Sequence, residues 1–167
     1  MTTEERGVAP DDLRAAVGRL PAGVAVVTLA WRGTVHATTV SSFTSVSLEP
    51  PLVLFCVHAD ARLRDALDDV DTWSVSVLAD DQAPTADWLS SYGRPTIDQL
   101  ARVPHRTAPV SGSAWIDGAA AWFDCRTYAV HSAGDHDVVV GLVEAVEQGR
   151  PGAGGLVHLR GRVRPVS

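Results

Sequence analysis

The chain reads as a mainly β domain with flanking helices, its antiparallel strands closed into a barrel. Three observations predict this. Strand-like segments outnumber helical ones. Most neighbouring strands are joined by short turns that permit antiparallel pairing, and six or seven such strands avoid bare edges by closing on themselves. At 167 residues with 46% hydrophobic content, the chain suits one domain, 1–167, with a substantial core.

The first ten residues read as a polar, disordered tail without the apolar stretch of a secretory signal. Pro10-Asp11-Asp12 opens a helix, with Asp11 as cap and Leu13, Ala16, Val17 and Leu20 on one face; Pro21 closes it. Ala22 to Trp31 and Thr34 to Val40 form a hairpin about Arg32-Gly33. Leu52 to Val57 is a short strand, apolar on both faces. Arg62 to Val70 is a helix with Leu63, Ala66, Leu67 and Val70 on one side, followed by a strand from Thr72 to Leu78.

Asp81 to Tyr92 is helical, with Ala86 and Leu89 inward. The stretch 93–113, broken by three prolines, is irregular around a short helix at Thr96 to Val103, as a lid or binding loop would be. Strands then run from Ala119 to Val130, Asp137 to Gln148 and Leu156 to Val163. Several strands are apolar on both faces, so a second copy of the chain is expected as cover, giving a homodimer.

The net charge of −6 offers no basic field for nucleic acid. No apolar run reaches the length of a membrane span. Cys56 and Cys125 sit in apolar strand patterns and read as free thiols, which fits a cytoplasmic protein.

Three segments carry candidate chemistry. Thr38 to Ser47 is crowded with hydroxyls and ends in Glu49-Pro50-Pro51, whose rings hold the chain extended. Small hydroxyls and backbone amides there suit a polar planar ligand, or they satisfy their own backbone at a turn-rich strand exit. At His58 to Arg64 a buried strand runs into a helix N-terminus, a natural anion site reinforced by Arg62 and Arg64; alternatively, Asp60 caps a solvated first turn. Gly134-Asp135-His136 is a polar corner entering an apolar strand. There, His136 either faces a cofactor, decorates the turn, or joins His131 and Asp135 on a metal.

Leu20-Pro21-Ala22-Gly23-Val24-Ala25-Val26-Val27-Thr28, the segment Thr39 to Val53, and Gly134-Asp135-His136 with Gly141 occur in an order that resembles the flavin reductase family with the FMN-binding split β-barrel fold. The resemblance implies a homodimer that binds FMN or FAD, oxidises NADH or NADPH, and passes reduced flavin to a separate monooxygenase. It assigns Thr38, Thr39, Val40, Ser41 and Ser42 to the isoalloxazine ring. Ser45, His58, Ala59, Arg62 and Arg64 fall toward ribityl and phosphate. Gly134 and Asp135 shape the corner from which His136 meets the nicotinamide. The loop His58-Ala59-Asp60-Ala61-Arg62 departs from the family by lacking a hydroxyl, so phosphate binding there rests on amides and Arg62 or Arg64. Without a Gly-x-Gly-x-x-Gly run, no Rossmann unit is expected, and nicotinamide and flavin share one groove. Three other functions stay open: a non-catalytic flavin carrier or sensor, a metal-dependent hydrolase built on His131, Asp135 and His136, and direct reduction of an organic substrate such as a quinone or nitro compound by bound flavin.

Overall fold

The computed structural model describes residues 7–167. The tail expected over residues 1–10 lies mostly outside the described residues, and Pro10 already belongs to the first helix. In chain order the elements are α1 (Pro10–Val17), β1 (Ala22–Gly23), β2 (Ala25–Trp31), β3 (Thr34–Val40), β4 (Thr44–Leu48), β5 (Pro51–His58), α2 (Arg62–Asp69) and β6 (Thr72–Val77). They continue with α3 (Ala83–Ser90), β7 (His105–Thr107), β8 (Ala114–Ile116), β9 (Ala121–Ala133), β10 (His136–Gln148), β11 (Gly155–Leu159) and β12 (Arg162–Val166).

Seven strands form one antiparallel sheet in the order β3-β2-β6-β9-β10-β5-β4. Its outer strands, β3 and β4, are consecutive in the chain and separated only by Ser41-Ser42-Phe43. Laid flat, the sheet would hold them about 29 Å apart. Three linking residues reach at most about 15 Å. The sheet therefore rolls until its edges approach, leaving a seam between β3 and β4. Strands β1, β11 and β12 form a second sheet, joined to the roll where the Val24 amide donates to Leu156 and the Leu78 amide to Val24.

Period-two alternation in β2 builds two cores. Val27 and Leu29 face inward with Phe55, Trp73, Val75 and Val139, closed by Leu63 and Ala66 of α2. Val24 and Val26 face outward against Ala86 and Leu89 of α3, with Leu100 and Ile116. The second apolar face of β2 is thus covered within the chain. The face of α1 is not: Leu13, Val17 and Leu20 are all exposed.

Several local expectations give way. The hydroxyl-rich stretch contains a strand, β4, at the sheet edge; Ser and Thr on both of its faces hid the period. Glu49-Pro50 is a cis-linked hairpin turn between β4 and β5, not an extended run. No helix forms over Thr96 to Val103, where isolated turns lead to β7, because the Pro-broken stretch is anchored by side chains instead. The last strand is interrupted at Arg160-Gly161, both with positive φ, the type I′ geometry that also turns Arg32-Gly33. The helix caps are Ala9 and Ala61, neither with a side-chain cap bond, rather than Asp11 and Asp60; both aspartates lie off the cap position.

Gly141 marks the closest approach inside the roll. It follows a register shift between β9 and β10, and a Cβ there would fall inside the Trp73 indole, with the Cys125 Cβ 3.2 Å away. Gly141→Ala should lower unfolding stability by about 1–3 kcal/mol through overpacking, read from urea denaturation. Unaltered stability would show that Trp73 repacks freely.

Candidate functional site

Residues from the hydroxyl segment, the end of β5, the start of α2 and the β9–β10 corner meet around a cavity of about 410 Å³. That lies within the range of about 300–1,000 Å³ usual for small-molecule sites. Thr38, Thr39, Val40, Ser41 and Ser42 form one wall, and His58, Arg62 and His136 the other. Ser45, Ala59, Arg64, Gly134 and Asp135 do not line it.

The first wall offers backbone more than hydroxyls. Ser42 Oγ accepts from the Cys56 amide at 2.9 Å and lies 3.3 Å from the Cys56 carbonyl, to which it donates, tying the seam to β5. Thr39 Oγ1 donates to the Ala86 carbonyl of α3 at 2.8 Å. Strand β3 is an edge. The Ala37 amide donates outward to Gln99 Oε1, and its carbonyl accepts from Arg94. Alternation puts the Thr39 amide and carbonyl on that same open edge, one step further into the cavity.

The opposite wall is a corner fixed by register. His136 pairs with His58 across β10 and β5, and their rings meet edge to face at 5.1 Å. The two-residue turn Gly134-Asp135 has Gly134 at φ +70°, the first position of a type II′ turn. His136 Nδ1 donates to Asp135 Oδ1 at 2.7 Å, and this bond holds the Asp135 carboxyl below its ordinary range. The Asp60 amide donates to His58 Nδ1 at 3.2 Å, which leaves Nε2 to carry the proton of the neutral ring. The Ala59 amide donates to the Asp135 carbonyl, linking the two loops.

Arg62 and Arg64 divide their roles. Two positions apart, they lie on different sides of α2. Arg64 is held by Asp68 and by the buried Asp137 of β10, so its charge is already spent. Arg62 makes no ion pair among the described residues and lines the cavity beside the uncapped start of α2. His131, Asp135 and His136 do not converge: among the described residues, no three His, Cys, Asp or Glu side chains assemble a metal site.

The lining residues that sequence reasoning missed include His36, Arg94 and Gln99. His36 is buried on β3, and its pKa is lowered first by burial and then by the Arg62 charge, so the ring is neutral at neutral pH. Arg94 and Gln99 come from the irregular stretch after α3. Arg94 bonds the Ser91 and Ala37 carbonyls and keeps its Nε buried without a partner. Only the irregularity of that stretch pointed to it.

These features describe a rolled antiparallel sheet with a cavity at its open seam, lined on one side by a free backbone edge and on the other by two histidines and an unpaired arginine. Residues 17–167 match the Flavin reductase like domain, and the chain belongs to that family. It is 40% identical over 144 residues to the actinorhodin polyketide dimerase of Streptomyces coelicolor, covering 83% of this chain and 78% of that protein. It is 37% identical over 153 residues to an NADH-dependent FAD reductase of Streptomyces globisporus, covering 91% and 83%. Among solved structures it is similar to BorF, the flavin reductase component of a bacterial two-component tryptophan halogenase, at 36% identity and a TM-score of 0.88, covering 95% of this chain and 98% of that one.

The Arg64–Asp137 pair makes the corner sensitive to acid. The Arg64 hydrogen bond lowers the Asp137 pKa from its ordinary 3.8. Its contribution is therefore fully present above about pH 4 and is lost as pH falls through the depressed folded-state value. Asp137→Asn should reduce the urea midpoint at pH 7, and the gap from the parent should close on acidification below pH ~4. A gap independent of pH would assign the loss to packing alone.

Proposed function

We propose that the chain is an NADH-dependent flavin reductase that transfers hydride from NADH to FAD or FMN and supplies reduced flavin to a separate monooxygenase. The observation that carries this is the juxtaposition, across one cavity, of the open Thr39–Ser42 backbone edge with His136 and the unpaired Arg62. The identities with an NADH-dependent FAD reductase and with a two-component reductase support it.

When bound, the flavin supplies the hydride acceptor. The Thr39 and Ser41 backbone edge would hydrogen-bond the pyrimidine rim and ease the charge that develops there. Ser42, stapled to Cys56, fixes where that edge stands. Arg62 and the free amides at the start of α2 would hold the flavin phosphate. His136 is held by Asp135 on one nitrogen and offers the other to the nicotinamide carboxamide, orienting the donor against the ring. No residue need act as a strong acid or base, because with both ligands bound the hydride would pass directly between them.

The fold is an FMN-binding split β-barrel that works as a homodimer in the cytoplasm. The exposed faces of α1 (Leu13, Val17, Leu20) and β4 (Val46, Leu48) support a second copy as their cover. No helix of the described residues is long and apolar enough to cross a membrane.

NADH consumption by the purified chain should require added FAD or FMN; binding of flavin without NADH oxidation would instead mark a carrier or sensor. His136→Ala should raise the KM for NADH by up to about tenfold, the equivalent of one well-placed contact, and change the flavin Kd much less. An unaltered NADH dependence would remove His136 from the site.

A further inference from the structure

A second cavity, of about 360 Å³, opens between α2 and the β2–β3 hairpin. It shares His36 and Arg62 with the main cavity, so the two adjoin along those residues. We propose that this arm is an adenylate subsite, taking the adenosine and outer phosphate of a dinucleotide. The proposal rests on the flavin-reductase reading of the main cavity and adds to it.

The arm has a prebuilt flat platform. Trp31 Nε1 donates to Asp69 Oδ2 at 2.7 Å, which fixes the indole. The Arg32 guanidinium lies over that ring, 4.3 Å from its centroid, and donates to the same carboxylate at 3.2 Å. One carboxylate thus holds a guanidinium and an indole in a stack, and the exposed side of Arg32 presents a planar cation to the groove. Such surfaces accept a nucleobase face. His36 packs against Trp31 at 5.4 Å and continues the aromatic surface to the junction.

The rest of the wall supplies hydrogen-bonding groups. Asp65 makes no ion pair among the described residues, and its carboxylate suits the exocyclic amine of adenine. Thr34 and Thr96 offer hydroxyls for ribose. Arg62 stands where the arms meet and carries the charge a pyrophosphate needs.

Order along the groove sets the ligand. If the ring lies against Thr39–Ser42 and its phosphate reaches Arg62, FMN ends at the junction. A dinucleotide continues past Arg62 into the Trp31–Arg32 arm. The adenylate comes either from FAD or from NADH, whose own pyrophosphate can reach Arg62 from His136.

The test measures Kd for FAD and FMN by flavin fluorescence, and KM for NADH and reduced nicotinamide mononucleotide, on the full chain. The variant is Arg32→Asn, because asparagine tolerates the φ of +51° at this position. Trp31→Leu is the second variant, with thermal melts to verify folding. Loss of base stacking should reduce the preference for FAD over FMN about tenfold. If the adenylate belongs to NADH, the preference for NADH over the mononucleotide falls by that factor instead, and the subsite stands with that source. Both preferences unaltered in both folded variants would overturn the subsite. Failure of the parent chain to bind FMN and FAD at all would instead overturn the flavin reading, a result that two unaltered preferences cannot produce.

Discussion

Three residues, Ser41-Ser42-Phe43, join the opposite edges of a seven-stranded sheet, and the rest of the site follows from that short link. A sheet whose ends are tied so closely cannot remain open, and its right-handed twist gives the roll its hand. The closure is incomplete because β3 and β4 do not pair, so a strip of backbone stays unsatisfied along β3. Part of it is consumed within the chain by Gln99 and Arg94 on Ala37. The part beside Thr39 has no strand partner, and the proposed function gives it to a ligand. Buried backbone groups demand partners, and a flavin rim offers donors and acceptors at that edge.

The opposite wall depends on register. Slipping β10 by one residue against β5 would turn His136 away from the cavity and move Asp137 off Arg64. Two features oppose such a slip. Only a glycine fits where the Trp73 ring passes, so a slip would drive Val140 or Leu142 into it, and Asp137 is buried against a guanidinium that α2 supplies. The same pair pins α2 to the corner, which leaves Arg62 on the cavity side. A structural ion pair and an unpaired cavity-lining cation thus come from one helix turn.

The sequence made the corner, the two-residue turns and the inward faces of α2 and α3 legible because each is local: a glycine with positive φ, or apolar residues three and four apart. Strand β4 was not legible, because its outward and inward positions are both hydroxyl-bearing. Neither Arg62 nor Arg64 could be assigned from composition, since which one reaches a carboxylate depends on Asp137, more than seventy residues away. His36, Arg94 and Gln99 escaped for the same reason. Their placement follows from contacts between the β3 edge and a stretch with no period of its own. Arg160-Gly161 is the exception: it repeats the Arg32-Gly33 turn, and that likeness was available in the residues alone.

The electrostatics of the groove suit a ligand that must leave. A chain of net charge −6 repels a dinucleotide at long range, so attraction has to be local. The local cations are partly committed: Arg64 to two aspartates, Arg32 to Asp69, Arg94 to carbonyls. His36 adds no charge, since burial and Arg62 keep it neutral. Arg62 is therefore the principal uncommitted charge facing a phosphate among the described residues lining the main cavity. One such contact positions a phosphate without locking it in place. A protein whose product has to diffuse to a second enzyme is better served by that arrangement than by a sealed, strongly cationic pocket, since added ground-state affinity would lower KM only by slowing release.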